Sequence, residues 1–344
     1  MDFKISDCRI LKTTVRQNNE VIDYGVKMVG APLEWNETMG EDIKVGIIDT
    51  GIDANHIELK NRIRDYVNFS GGKSEDIQDE NGHGTHVSGI VCAEKNGIGV
   101  VGVAPKADLY IAKAFDANGK TTYPSIEKSL NWMISKKVDV INMSFSSDIS
   151  SREYKNLISR INANGISMIC AAGNEGQSGD NTIGYPANFY ETIAVTAVDV
   201  NRKIADFSSS GGQAEIAAAG KNIYSTYLNN GYAVLSGTSM ATPIITGAAA
   251  ILHGKCLIRY GRKLSPTELR LLLNIYTDKL GEKGRDIHYG YGLFTFGRIV
   301  SNDYIYSESL ISSGLNTASS IGKDDFFNEA FSMVSKYKSK LKGH

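Results

Sequence analysis

From about Ile43 the chain alternates short apolar strands with amphipathic helices, and this alternation restricts the available folds more than any other feature. The expected strands are Ile43–Asp49, Asp108–Ala114, Val138–Met143, Ser167–Ala172, Thr192–Ala197 and Glu215–Ala218. Several are near-continuous apolar runs, as strands buried on both faces require. Between them Ile126, Leu130, Met133 and Ile134 recur at helical spacing within Pro124–Lys137, and Ser151–Asn164 carries another helix. The pattern predicts an α/β fold: a doubly wound, mostly parallel sheet with helices on both faces. Sites on such sheets gather at the carboxyl ends of strands, where Asp49 and Asn174 fall.

The stretch Gly237-Thr238-Ser239-Met240-Ala241-Thr242-Pro243 precedes an apolar run rich in Ala and Ile. It reads as a nucleophile at the start of a buried helix, with backbone N–H groups nearby to meet negative charge. A serine needs a base, and Asn81-Gly82-His83-Gly84 opens a helix with an imidazole. Val45-Gly46-Ile47-Ile48-Asp49-Thr50-Gly51 ends an apolar strand on a carboxylate at a Gly turn. Ser239 is then the nucleophile and His83 the base that later protonates the leaving amine. Asp49 orients the imidazole and stabilises its charged form.

That order, those flanks and a fourth motif, Ala171-Ala172-Gly173-Asn174-Glu175-Gly176, resemble the subtilisin-like serine proteases of peptidase family S8. The resemblance runs from about Gly25 to about Gly297 and is nearest in character to the intracellular subtilisins. It implies a three-layer sandwich and an endopeptidase working through an acyl-enzyme. It also implies that Asn174, helped by the Ser239 N–H, binds the oxyanion; in subtilisin itself such an asparagine is worth roughly 10²–10³ in turnover.

By the same resemblance, Gly119-Lys120-Thr121 and Ser144-Phe145-Ser146 sandwich a bound peptide as a third strand. Ala171, Ala172, Gly173 and Gly184 match the walls and floor of the S1 pocket, with Glu175 at its rim, while Tyr123 and Ile126 match the S4 lining. A wide apolar S1 implies large apolar or aromatic P1 residues. Ser146 and Ser147 depart from the family's usual Gly-Gly, and side chains there would narrow S1 or alter the peptide's approach. Asn96-Gly97-Ile98-Gly99-Val100 resembles the family's calcium loop. The side chain of Asn96 and the carbonyls of Ile98 and Val100 would be ligands, with Glu58 where an Asp is usual and the Glu94 carbonyl completing the set. Ca²⁺ would be structural there; a plain tight loop is the alternative.

With 344 residues, 42% of them hydrophobic, the chain can bury a sizeable core. Lys+Arg 37 against Asp+Glu 38 recommends neither nucleic acid nor an anionic membrane as a partner. The N-terminus lacks a secretory h-region, and no apolar run approaches the ~18 residues of a membrane span, so a cytosolic protein is expected. Cys8, Cys92, Cys170 and Cys256 lack CxxC spacing and read as reduced and mostly buried. His86, one turn after His83, has no third ligand beside it for zinc and reads as structural. His56, His253, His288 and His344 default to surface or satisfied core positions.

Three regions follow: an N-terminal extension (1–24), a catalytic domain (25–300) and a C-terminal extension (301–344). The first is too short for the folding pro-domain of secreted subtilisins. It is either an inhibitory leader lying across the active site, although the family's Leu-Ile-Pro-Tyr/Phe motif is missing, or an edge-strand tail. In the last, Phe326, Ala330, Met333 and Tyr337 mark an amphipathic face that packs on its own domain or on a second subunit as a homodimer. Peptides or unfolded proteins are the expected substrates. A dedicated processing protease acting on one partner is the main rival, and a non-catalytic peptide-binding module a remote one.

Overall fold

The structure, a computed structural model, describes residues 2–5, 12–14, 19–297 and 323–341, and among these nine strands form the central sheet. In spatial order they are β13 (Thr277–Asp278), β14 (Leu293–Phe294), β10 (Ala214–Ala219), β9 (Ile193–Val198), β8 (Ser167–Ala171), β7 (Val140–Met143), β3 (Lys44–Asp49), β5 (Asp108–Lys113) and β4 (Ile63–Asn68). Neighbours run parallel except β13, which is antiparallel to β14.

Residues alternate between the two faces of the sheet. On β3, Val45 and Ile47 join the core under α2 (His83–Cys92) and α5 (Thr238–Tyr260). Ile48 faces α3 (Tyr123–Lys136) and α4 (Arg152–Ala163). The result is a three-layer α/β sandwich. α3 buries Ile126, Leu130 and Met133, three residues of the helical stripe read from the sequence, whereas Ile134 is only partly buried. α4 starts on a Ser151 hydroxyl that accepts the Tyr154 N–H. α6 (Pro266–Ile275) starts on a reciprocal Ser265–Glu268 capping box, as its sequence predicts.

α5 is apolar on every side and its residues from Thr238 to Cys256 are buried, so it is a core helix. It corrects one expectation: by length and composition it could cross a membrane, with a mean hydropathy of 1.4 over a window that is 89% buried inside the fold. Thr242, Thr246 and His253 break up its apolar residues and disguise its length in the sequence.

Two small sheets flank the main one. β1 (Asp2–Lys4) pairs antiparallel with β6 (Lys120–Thr122). β11 (Ile223–Tyr227), β12 (Gly231–Leu235) and β2 (Lys12–Thr14) form a three-stranded sheet. α1 (Tyr24–Met28) is capped by the Asp23 carboxylate. α7 (Lys323–Leu341) packs on its own domain through Phe327, Ala330, Phe331 and Val334. This face is turned from the expected one: Tyr337 is exposed, Met333 is half-buried, and the Phe326 side chain lies outside the described residues. Cys92, Cys170 and Cys256 are buried free thiols, while Cys8 and His344 also lie outside the described residues.

Candidate active site

β3 carries apolar residues up to its last position and so delivers Asp49, fully buried, to the carboxyl edge of the sheet. Asp49 Oδ1 accepts the Thr50 N–H at 2.7 Å and the Nδ1–H of His83 at 2.7 Å. His83 is the first residue of α2, and Gly84 lets that helix end come close: a Cβ there would lie 2.2 Å from the Gly51 carbonyl oxygen and 3.2 Å from Asp49 Oδ1. Asp79 fastens the same helix end. Its Oδ1 accepts the Gly82 N–H at 2.9 Å and the Thr50 hydroxyl at 2.9 Å, and its Oδ2 accepts the Thr85 hydroxyl at 2.7 Å. Sequence reasoning passed over Asp79. The available signal was an acid four residues before His83, where helix N–H groups need an acceptor.

Ser239 is the second residue of α5. Its Oγ donates to the Ser144 carbonyl at 3.1 Å, and the Ser144 hydroxyl donates back to the Ser239 carbonyl at 2.9 Å. Behind Ser144, the Asn142 amide donates to its Oγ at 2.9 Å, and Thr246, two turns along α5, donates to Asn142 Oδ1 at 2.9 Å. All four side chains are buried. Asn174 is held by its oxygen, which accepts the Thr238 N–H at 2.9 Å and hydroxyl at 3.0 Å. The Asn174 side chain is thereby held against Thr238, the residue before Ser239. Asn142, Thr238 and Thr246 were not read from the sequence, because their partners lie 64 to 104 residues away.

The expected peptide-binding segments converge beside this cluster. Gly184 donates to the Ala172 carbonyl at 3.0 Å, and Ser147 and Tyr185 exchange both backbone hydrogen bonds at 2.8 Å, so the Ser144–Ser147 and Gly184–Tyr185 segments close on each other. The Ser146 Cβ lies 3.0 Å from where a Gly184 Cβ would stand, so that corner is tight. Ser147 Oγ turns back to accept its own loop's Ile149 N–H at 3.2 Å. The Glu175 N–H donates to Ser209 Oγ at 3.1 Å, and Gly173, beside Ala171 and Ala172, takes φ 114°. Ile126 is fully buried, and the Tyr123 ring meets Tyr154 edge-on at 5.7 Å.

The N-terminal strand lies between those segments. β1 pairs with β6 on one side, and Lys4 bridges to Ser146 on the other. The Ile5 N–H donates to the Gly119 carbonyl at 2.9 Å. Phe3, only 2% exposed, meets Phe145 edge-on at 5.9 Å and Tyr154 at 5.3 Å. A cavity of about 640 Å³ opens alongside, lined in part by Phe3, Lys4, Asp116, Lys120 and Asp148.

Glu58 is fully buried under the 96–100 loop. Its Oε1 accepts the Val100 N–H at 2.9 Å, whereas Oε2 meets no donor. Burial pushes its carboxyl up to about 8. Asn96 Oδ1 accepts the Ile98 N–H at 3.1 Å. The Glu94 side chain turns away to Arg62 at 2.9 Å, while its N–H donates to the Glu58 carbonyl at 3.1 Å. Among the described residues no group of three or more His, Cys, Asp or Glu side chains is placed for a metal. An orphaned, buried carboxylate oxygen beside a loop able to offer carbonyls nevertheless fits a hard, oxygen-seeking cation. His86, fully buried, donates from Nε2 to the Ile223 and Ala233 carbonyls at 3.2 and 3.1 Å, a structural pin between α2 and the β11–β12 hairpin.

A parallel α/β sandwich with a buried Asp–His pair at a strand end and a serine opening the core helix defines a hydrolase-type site. Comparison with known proteins agrees. The family model described as the subtilase family, Peptidase_S8, matches residues 40–292. An intracellular serine protease of Paenibacillus polymyxa is 38% identical over 89% of this chain and 95% of its own length. Subtilisin DY of Bacillus licheniformis is 42% identical over 80% of this chain and 97% of its own. The major intracellular serine protease of Bacillus subtilis (strain 168) is 39% identical over 73% and 83% respectively. The chain belongs to the subtilase family and is a subtilisin-like serine protease, a hydrolase.

Proposed function

We propose that the chain is an intracellular endopeptidase in which Ser239 attacks the peptide carbonyl. His83 takes the serine proton and returns it to the leaving amine. Asp49 fixes the Nδ1–H tautomer of the imidazole through the 2.7 Å bond. Asn174 and the Ser239 N–H receive the oxyanion. The buried Asp49–His83 pair is the observation that carries this reading, since a desolvated carboxylate beside an imidazole favours the charged ring formed during attack. Ala171, Ala172, Gly173 and Gly184 would form an apolar S1 that takes large apolar P1 residues, with Glu175 at the rim. The names of two relatives, both intracellular serine proteases, favour a cytoplasmic setting.

Ca²⁺ would sit at Glu58 with Asn96 and carbonyls of the 94–100 segment, neutralising the buried carboxylate and stiffening the loop. The N-terminal segment serves as an inhibitory leader: β1 occupies the strand position a substrate would take, and Phe3 packs on Phe145 and on Tyr154, whose ring also meets the S4 residue Tyr123. A homodimer formed through α7 is a further part of this reading. Leader occupancy also favours a second reading, a processing protease that meets a partner's segment in the same way.

The test is hydrolysis of a fluorogenic peptide with an apolar P1 residue by the full chain and by Ser239→Ala, with calcium present and intact mass followed. Turnover should need Ser239 and begin after mass is lost from the N-terminus, with Phe3→Ala shortening the lag. Immediate turnover by the unaltered chain would remove the leader reading, and turnover by Ser239→Ala would remove the nucleophile assignment.

A further inference from the structure

The N-terminal segment is paired at two places. Besides β1 in the cleft, β2 lies antiparallel on the outer edge of β12, with Lys12 opposite Val234, Thr13 opposite Ala233 and Thr14 opposite Tyr232. β12 runs straight toward the nucleophile, since Leu235 ends the strand and Thr238 begins α5. The β1 pairing adjoins Ser239 from the other direction, because Ser146 is two residues from Ser144, whose carbonyl accepts the Ser239 hydroxyl. The two pairings of one polypeptide therefore fall on the two segments that adjoin Ser239, one leading into α5 and one carrying Ser144.

The β12 edge is also rigidly held. Three side chains of β11 bind backbone carbonyls at the start of α2: Tyr227 to Asn81 at 2.9 Å, Thr226 to Thr85 at 2.8 Å and Ser225 to His86 at 2.9 Å. His86 in turn holds the Ala233 carbonyl. A strand edge fastened to the helix that carries His83 is a preformed template for another strand.

We propose that the outer edge of β12 is a second substrate-binding strand, which captures the part of a polypeptide downstream of the scissile bond by backbone pairing. This rests on the cleft between β6 and Ser146 being the substrate track. The occupant is an extended, unfolded segment of a protein substrate, which in the intact chain is represented by Lys12–Thr14.

The register gives its position. If a substrate residue n pairs with Ser146 as Lys4 does, residue n+2 stands opposite Ser144, and the bond after it faces Ser239. The residues matching Lys12–Thr14 are then the sixth to eighth after the cut. From Ile5 to Lys12 there are about seven residue steps, at most roughly 24 Å of extended chain. Backbone pairing makes the site tolerant of sequence and selective for length and for the absence of proline.

Binding is read on the full chain carrying Ser239→Ala, to prevent turnover, with Phe3→Asp and Thr13→Pro to lift the N-terminal strands from both edges. Should the aspartate unfold the chain, Phe3→Ala replaces it. Three labelled peptides share one cleavage region: one ends at the third residue after the cut, one continues to the tenth, and one continues with proline at the seventh. The long peptide should bind at least tenfold tighter than the short one and slow hydrogen exchange at Tyr232–Val234, and the proline peptide should behave as the short one. Binding of all three within twofold, or tighter binding of the long peptide without slower exchange at β12, would overturn the proposal. Failure of the unaltered chain to hydrolyse any peptide would count against the protease reading and leave this result unaffected.

Discussion

Ser144 and Ser239 hold each other reciprocally: the Ser239 hydroxyl donates to the Ser144 carbonyl at 3.1 Å, and the Ser144 hydroxyl donates to the Ser239 carbonyl at 2.9 Å. Ser144, in the segment proposed to bind peptide, is thereby tied to the second residue of the core helix, the proposed nucleophile, so the positions of the two are set together.

Asn142 secures that tie by donating to Ser144 Oγ and accepting from Thr246. Asn142→Ala breaks two buried hydrogen bonds, worth about 1–3 kcal/mol in the alignment of Ser239. Turnover of a small ester should fall about tenfold to a hundredfold with KM nearly unchanged. Asn142→Asp, which keeps the acceptor for Thr246 and loses the donor to Ser144, should match the alanine variant in kcat. Steady-state kinetics decide, and a change confined to KM would show that Asn142 shapes the binding segment instead.

Gly84 sets how closely α2 approaches β3. In Gly84→Ala the new methyl meets the Gly51 carbonyl oxygen at 2.2 Å, a backbone atom that cannot swing aside, so the start of α2 must move and take His83 with it. The expected stability cost is about 1–3 kcal/mol, as for other overpacked sites. Activity should fall by more than the fraction unfolded explains. Urea midpoints and kcat measured on one preparation test this, and a fully active Gly84→Ala would mean that the helix end yields without moving His83.

The sheet was legible because its strands are buried on both faces. Val45, Ile47 and Ile48 leave no ambiguity about β3, and the strands expected from apolar runs appear within a residue or two of their bounds. β4 was missed because its residues alternate between exposed and half-buried, so Arg64 and Asp65 obscure the apolar pattern. β11 and β12 are rich in Tyr, Ser and Thr, and they owe their burial to α2 rather than to composition. At the site, Asp49, His83, Asn174 and Ser239 lie in local motifs and could be named from sequence. Asn142, Thr238 and Thr246 act through partners that only the fold brings near, whereas Asp79 binds Gly82 and Thr85 within its own segment and carried a local signal. For the N-terminal extension the sequence offers an edge-strand tail as one alternative but no bounds or partners for β1 and β2, since three-residue strands borrow their pairing from the edges they join.

His253 should make the protein sensitive to acid. It is fully buried on α5, its Nδ1 accepts the Leu264 N–H at 3.2 Å, and burial pushes its pKa from 6.5 down to about 4. The unfolded chain therefore binds a proton in this window that the folded chain does not, and stability rises with pH between about 4 and 6.5. Read downward, His253 costs up to about 3 kcal/mol by pH 4. His86, pushed down to about 3 by its burial, extends the loss to lower pH. Asp23, raised to about 6 by burial, and Glu58, raised to about 8, act in the opposite sense, between 3.8 and 6 and between 4.5 and 8 respectively, so the contribution of His253 is read as the difference between the parent and His253→Gln at each pH. The variant should show a smaller fall in urea midpoint from pH 7 to 4.5; equal falls would mean that this ring does not carry the effect.

α7 is fastened by charges over rings. Phe327 is fully buried, with the Lys255 ammonium and Arg259 guanidinium 5.4 and 5.2 Å from its ring centre, and Phe331 stacks on Tyr260 at 4.3 Å. Arg259 also forms two bonds to Glu37, at 2.6 and 2.8 Å, and Lys255 is buried between Glu34 and Glu37. Removing the Phe327 ring in Phe327→Ala would cost about 3–5 kcal/mol if the site stayed closed. The helix is attached along one face only, so it should detach first and limit the loss to its own docking energy. Hydrogen exchange across residues 327–337 should then become fast while the peptide-hydrolysing activity of Phe327→Ala persists. A loss of activity in step with that exchange would show that α7 supports the catalytic sheet itself, through Lys255 on α5.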